Sequence, residues 1–548
     1  MSENKKRPRF RSVVSLANMQ LSVKTAATIL AASTLVSALL GIFRDRWLNS
    51  LYYSTYPTGL DAYTAAFTVP DFMYFILVSG ALSVSFIPVF NQRLAGGNKK
   101  SAWEISSSVL NLLALATLVA SVLIMLFAGP LVRYLVAPGL DESTMTLTIN
   151  MMRVIAINPF LFAISTVLTS MQQAVGRFVF YAVAPALYNI GILVGIFSFT
   201  NGINIFGTQL FAGGIMGVAL GVVFGALLQL IVSMIGLVGL GFDYRFKIYW
   251  KNKGFQSVMK LLPARSMDQG LDYAMSIVNT NLASTMGTQS IRAYQQASSL
   301  RSMPVNLIGV AISTAFFPEL SNRLAAGDEN GFRKVFSTAL RTIIWISMPV
   351  AVIAYFARAY VVSFVQMSGE RGMMIDVLAA FIIAIFCQSV FHIASRAFYA
   401  RQDTKTPFRI SIFSVGLNII LAIIAAKAYG TPAGLAYACS IASFIEVSIL
   451  LIVQNRKMGH KLFNRELFAT FVKTAIASIC AGLVSYLVIK ILPPLTKDSD
   501  TFLTILPKFM LIAGSGLTSY VIISYFLGIN EAKPVVKKFS SLLFGNIK

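Results

Sequence analysis

Apolar stretches long enough to cross a bilayer, each roughly 20 residues, recur along almost the whole chain and are separated by short polar segments. Fourteen can be counted, at about 25–43, 62–91, 104–128, 148–171, 177–198, 210–240, 255–284, 289–318, 335–365, 374–399, 406–428, 432–456, 467–492 and 502–528. The pattern also repeats. Residues 86–97, FIPVFNQRLAGG, are echoed by FFPELSNRLAAG at 316–327. Phe86/Phe316, Pro88/Pro318, Arg93/Arg323, Leu94/Leu324, Ala95/Ala325 and Gly97/Gly327 are identical at an offset of 230. At 229, Gln173/Gln402, Asn189/Asn418 and Ile190/Ile419 match as well. This offset carries the second span onto the eighth, so six spans form the repeating unit. An even number keeps both copies in one orientation, which predicts a parallel repeat about an axis along the membrane normal. The expected fold is an all-α polytopic membrane protein. It comprises a basic N-terminus (1–24), an N-lobe of six spans (25–240), a C-lobe of six (241–456), two further spans (457–528) and a basic tail (529–548).

Charge sharpens this picture. With 56% hydrophobic and 12% charged residues, the chain lies outside the range of soluble domains. Its formal charge of +24 would suit a nucleic-acid binder, but the basic residues lie between apolar runs. With the N-terminus assigned to the cytoplasm, 30 of the 45 Lys and Arg residues fall on inside segments and seven in outside loops. That is the positive-inside bias, and a count wrong by one span would scramble it. Both termini are therefore expected inside, and the charge calls for no nucleic acid. The basic start resembles a signal peptide, but the run at 25–43 lacks a persuasive cleavage site and reads as a retained first span. Cys387, Cys439 and Cys480 sit inside apolar runs without a CxxC, which indicates packing rather than a disulfide framework or metal site. No phosphate-loop motif occurs, and the loops are too short for a catalytic domain. A transporter is expected, not an enzyme.

Candidate chemistry is confined to charges at membrane depth, which cost roughly 2.5–3.5 kcal/mol each to insert. Arg301, near the middle of the eighth span, either meets an anionic substrate or joins an internal ion pair. Asp268 and Asp272, one turn apart on the seventh, either form an ion or proton site or pair with Arg265. His392 reads as a packing histidine or a proton relay, and Arg153 and Arg358 as snorkelling cations. Arg44-Asp45-Arg46 closes the first span, either as a headgroup anchor or as a guanidinium cluster able to grip phosphate. Asp61 suits a helix N-terminus. Asp71 lies deep in the second span, which Pro70 and Gly80 invite to bend. Gly213, Gly217, Gly221 and Gly225 form a small-residue stripe for close helix packing, inside a lobe or at a dimer face.

LLGIFRD (39–45), LDAYTAAFTVPDF (60–72), SGALSVSFIPVF (79–90), GVAISTAFFPELS (309–321) and FYARQDTKTP (398–407) resemble the MurJ/MviN family. These are lipid II flippases of the multidrug, oligosaccharidyl-lipid and polysaccharide exporter superfamily. The resemblance spans essentially the whole chain. It implies two six-helix lobes around a central cationic cavity, two C-terminal helices forming a lipid groove, and a bacterial inner-membrane location. The implied activity is alternating-access movement of undecaprenyl-diphosphate-linked peptidoglycan precursor to the outer leaflet, with cell-wall synthesis enzymes as further partners.

Carried over residue by residue, Arg44 and Asp45 match the family's RD pair. Three other cavity arginines fall on Ala38, Tyr74 and Ser299, with Arg301 two residues from the last, and the acid preceding the glycine of the second helix is Ser79. The implied substrate site therefore draws on Arg44, Asp45, Arg46, Asp61, Asp71, Tyr74, Ser79, Arg292, Ser299 and Arg301. Arg46, Arg292 and Arg301 are the candidates to replace the missing cations. For ion coupling the resemblance points to Asn279 and Asn418, beside Asp268 and Asp272, although a carboxylate expected one turn after Asn418 is Ala422. No cofactor is implied; the driving force is Na⁺ or the membrane potential. Alternatives are export of another polyprenyl-linked oligosaccharide, cation-coupled drug export, or a non-transporting scaffold for cell-wall enzymes.

Overall fold

A computed structural model describes residues 23–79, 86–205, 208–211, 213–366, 371–460, 462–495 and 501–544. Helix dominates because the apolar runs must satisfy their backbone hydrogen bonds internally once in hydrocarbon. The first compact unit ends at Thr288. It holds α1 (Val23–Tyr52), α2 (Pro57–Ala66), α3 (Thr68–Tyr74), α4 (Ile87–Ala95), α5 (Lys99–Pro130), α6 (Glu142–Ile155), α7 (Asn158–Ala174), α8 (Val179–Phe197), α9 (Met216–Ile235) and α10 (Lys253–Ser284). The second begins at Gln289. It holds α11 (Ser290–Pro304), α12 (Ala311–Ala325), α13 (Glu329–Phe356), α14 (Arg358–Ser363), α15 (Gly372–Ala380), α16 (Ile382–Ala400), α17 (Lys405–Tyr429), α18 (Pro432–Lys457), α19 (Arg465–Ile491), α20 (Phe502–Phe526) and α21 (Ala532–Phe544). Helix α10 packs with the first unit, where Tyr273 stacks on Phe75 at 3.8 Å between ring centroids. The division by packing thus falls one span later than the division by repeat.

Twelve helical segments among the described residues are long and apolar enough to cross a membrane. Two of the fourteen expected spans, the second and the seventh, are not among them. The second is broken into α2, α3, a π-helical stretch Phe75–Ser79 and α4. The seventh, α10, is continuous over 32 residues, about 48 Å at 1.5 Å per residue, but Arg265, Asp268, Asp272 and several amides dilute its hydropathy. Both exceptions carry acids at depth, Asp71 on the second span and Asp268 and Asp272 on the seventh. Among the described residues the strand content is one antiparallel hairpin, β1 (Ile203–Ile205) with β2 (Thr208–Phe211), paired Ile203 to Phe211 and Ile205 to Thr208.

The duplication is visible in the backbone. A π-helical stretch at Val305–Val310 begins 230 residues after the one at Phe75. Asn98 caps α5 by accepting from Ser101 N at 3.0 Å, and Asp328 caps α13 by accepting from Gly331 N at 2.7 Å. Each cap lies one residue beyond the matched glycines Gly97 and Gly327, both left-handed at φ 75° and 72°, a conformation glycine adopts without steric cost. The glycine stripe packs within the first unit. A Cβ on Gly221 would stand 2.5 Å from Gly195 Cα, and one on Gly225 2.4 Å from Tyr188 O. In the second unit α19 and α20 are tied to α13, where Tyr520 Oη donates to Trp345 O at 2.6 Å.

Candidate substrate site

Arg44 is the centre of the polar groups in the first unit. Helix α1 does not end at the Arg-Asp-Arg cluster; it continues to Tyr52, so the cluster sits within its last third. The Arg44 guanidinium donates from Nε and Nη2 to Asp45 Oδ1, at 3.2 and 3.0 Å, and from Nη1 to Asn189 Oδ1 at 3.0 Å. Asn189 is itself held, its Nδ2 donating to Ser37 O and Oγ at 3.2 and 3.3 Å. Three of the five guanidinium N–H groups are thereby used, and two remain for an anion. The Arg44 side chain is 23% exposed, so it is both fixed and reachable. Tyr63 and Tyr188 lie within electrostatic range of it.

Asp71 and Tyr74 extend this region. Tyr188 lies within electrostatic range of Asp71 as well, and no hydrogen bond or ion pair reaches the Asp71 carboxylate among the described residues. Tyr74 Oη shares a 2.9 Å hydrogen bond with Thr166 Oγ1 and its ring meets Phe162 edge-on at 5.5 Å. Where the resemblance implies an arginine, the chain thus has an aromatic hydroxyl locked to α7. Arg46 and Asp61 are 3% and 1% exposed and both are engaged. The side chains of Ser79, Asp268 and Asp272 lie outside the described residues. Asn279 is buried, with its Oδ1 unbonded.

In the second unit, Arg301 stands at the end of α11, 230 residues after Asp71 in sequence and just before the matching π-helical stretch. Equivalent positions therefore carry opposite charges. Arg301 Nη1 approaches Cys439 Sγ at 3.3 Å, Nη2 donates to Ser298 Oγ at 3.2 Å, and the guanidinium lies 4.6 Å from the centroid of the Phe381 ring. No carboxylate pairs with it among the described residues, which leaves the cation–π contact as its main electrostatic partner. Ser299 is exposed and its hydroxyl donates back to Gln295 O at 3.0 Å. Arg292 is buried and engaged.

Asn418 is buried with an unbonded Oδ1, and Ala422, fully buried, supplies no oxygen one turn later. Hard cations require several oxygens, usually charged. Asn279 and Asn418 offer neutral amide oxygens and Ala422 none, while the side chains of Asp268 and Asp272 lie outside the described residues.

Asn189, Tyr63, Tyr188 and Thr166 are site neighbours that sequence reasoning did not assign. The one signal for them was the Asn189/Asn418 match within the repeat.

Twelve candidate membrane-spanning helices in two units, with Asp71 and Arg301 lacking a charge partner among the described residues, define a polytopic all-α membrane protein. The chain belongs to the family described as lipid II flippase MurJ, whose family model matches residues 57–504. A probable lipid II flippase MurJ of Bdellovibrio bacteriovorus is 26% identical over 523 residues, covering 94% of this chain and 96% of that protein. Another, from Thermotoga maritima, is 24% identical over 514 residues, covering 92% and 97%. Among solved structures, a lipid II flippase MurJ in an inward closed conformation superposes with a TM-score of 0.72 at 25% identity, covering 91% of this chain and 98% of that one. An inward-facing multidrug resistance transporter of the MATE family shares the fold, with a TM-score of 0.65 at 15% identity over 79% of this chain. The chain is a multi-pass protein of the bacterial inner membrane.

Proposed function

We propose that this chain translocates lipid II, the polyprenyl-diphosphate-linked peptidoglycan precursor, from the inner to the outer leaflet of the bacterial inner membrane. The observation that carries the reading is the family match across residues 57–504. Arg44 is the residue best suited to the diphosphate, because Asp45 and Asn189 hold it rigidly while two N–H groups stay unspent. Charge-assisted bonds to phosphate are about twice as strong as neutral ones. Arg301 offers a second guanidinium in the other unit, held on an aromatic face and not by an acid. Movement proceeds by alternating access, driven by the membrane potential at about 2.3 kcal/mol per charge per 100 mV. The chain performs no covalent chemistry on its cargo.

The test is genetic and direct. Expression in bacteria depleted of their own lipid II flippase restores growth, and Arg44→Ala abolishes rescue while the variant still reaches the membrane. Equal rescue by both forms would remove Arg44 from the mechanism. No rescue by the inserted wild type would transfer the reading to another polyprenyl-linked cargo.

A further inference from the structure

The two units treat one corner of their basic face differently. In the second unit, Glu329 opens α13 and accepts both Nη1 and Nη2 of Arg401, at 2.8 and 2.7 Å, from the corner between α16 and α17. Arg401 also lies 4.6 Å from the centroid of the Phe332 ring. Position 329 less 230 is 99. There the first unit has Lys99, which opens α5 behind the equivalent cap Asn98. The position matching Arg401, at the offset that pairs Gln173 with Gln402, is Gln172, and the cation at this corner of the first unit is instead Arg177, five residues on between α7 and α8. The acid of the second unit has become a base, so the ion pair that closes this corner in one unit cannot form in the other.

What remains is a cavity of about 580 Å³ lined by Leu94, Lys99, Trp103, Val175, Arg177 and Leu240, with Gly241. Arg177 donates to two carbonyl oxygens, Val238 O at 3.0 Å from Nη1 and Gly239 O at 3.1 Å from Nη2. This fixes the guanidinium and leaves three of its five N–H groups. Burial pulls the Arg177 pKa down, and no carboxylate among the described residues pairs with it. The nearest acid along α5, Glu104, is held by Asn252 Nδ2 at 3.0 Å.

We propose that this pocket on the basic face of the first unit binds a phosphoryl group, gripped by Arg177 and Lys99 beside Trp103. The site is separate from Arg44, and its ligand is either the headgroup of an anionic membrane lipid or a free phosphate compound. A planar guanidinium held by neutral carbonyls, an exposed ammonium at a helix N-terminus and an apolar wall suit a phosphate presented at a membrane interface.

Full-length protein in phosphatidylcholine nanodiscs is titrated with inorganic pyrophosphate, and a parallel series of discs carries phosphatidylglycerol; the thermal midpoint is read in both. The wild type is stabilised in at least one series. Lys99→Glu, which restores the acid of the second unit at an exposed helix start, weakens the response about tenfold or more, as does the neutral Lys99→Gln. Arg44→Ala retains the response, which separates this pocket from the proposed cargo site. Stabilisation by pyrophosphate alone assigns a soluble ligand, and stabilisation by phosphatidylglycerol alone assigns a lipid. An unresponsive wild type, or equal responses from wild type and both Lys99 variants, overturns the proposal.

Discussion

At the scale of single residues, what matters is which polar groups are spoken for. Arg44 is useful because its partners leave part of it free. Arg46, two residues on, is buried and engaged. Arg44→Lys keeps the charge but cannot bridge Asp45 and Asn189 in one plane, so it is expected to fail in growth rescue nearly as badly as alanine. Asn189→Ala removes an acceptor from Arg44 and two donor contacts to Ser37, at 3.2 and 3.3 Å, from the α1–α8 contact. A loss of about 1–3 kcal/mol is expected in detergent unfolding. Asp403 makes a pH prediction. Burial pushes its carboxyl up, but the Lys457 ammonium and the Thr406 hydroxyl and N–H outweigh that and hold it at about 2. Its folded pKa is therefore below the unfolded value near 3.9. The contribution is present above about pH 4 and is lost as pH falls towards 2. Lys457 is 37% exposed, so about 1 kcal/mol is at stake. Asp403→Asn should lower the unfolding midpoint at neutral pH and remove that part of the acid dependence.

At the scale of elements, close approach and broken helix carry the design. Helices α8 and α9 meet through Gly191, Gly195, Gly221 and Gly225, where a Cβ on Gly191 would stand 2.2 Å from Gly225 Cα. Gly191→Val is expected to cost roughly 1–3 kcal/mol through overpacking, read as a lower thermal midpoint with no change in oligomeric state. The stripe was legible in the sequence from Gly217 to Gly225, but Gly213 lies before α9 with a left-handed backbone at φ 96° and is not part of it. Whether it faced another helix of the same unit or a second molecule was not, because spacing gives the face of a helix but not its neighbour. The broken second span was foreshadowed by Pro70. The π-helical turns at Phe75–Ser79 and Val305–Val310 were not, since no residue type specifies a π turn.

At the scale of the whole molecule, the C-terminal helices belong to the second unit through identifiable contacts. Arg341 pairs with Glu466 at the start of α19 and approaches Glu531 Oε1 at 3.1 Å before α21. Arg341→Gln strands Glu531, whose side chain is 9% exposed, and is expected to cost roughly 2–3 kcal/mol. Limited proteolysis should then cut more readily in the 457–501 region, while an unaltered digestion pattern would show the pair to be dispensable. The amino-acid sequence by itself determined the helical class, the duplication and the family. These follow from hydropathy period and motif, both readable along one dimension. Tertiary structure decided which charges have partners, because pairing is set by helices far apart in the chain. Arg44 meets Asn189 145 residues away, Asp71 and Arg301 occupy equivalent positions with opposite charge, and the corner closed by Glu329 and Arg401 stands open at Lys99 and Arg177.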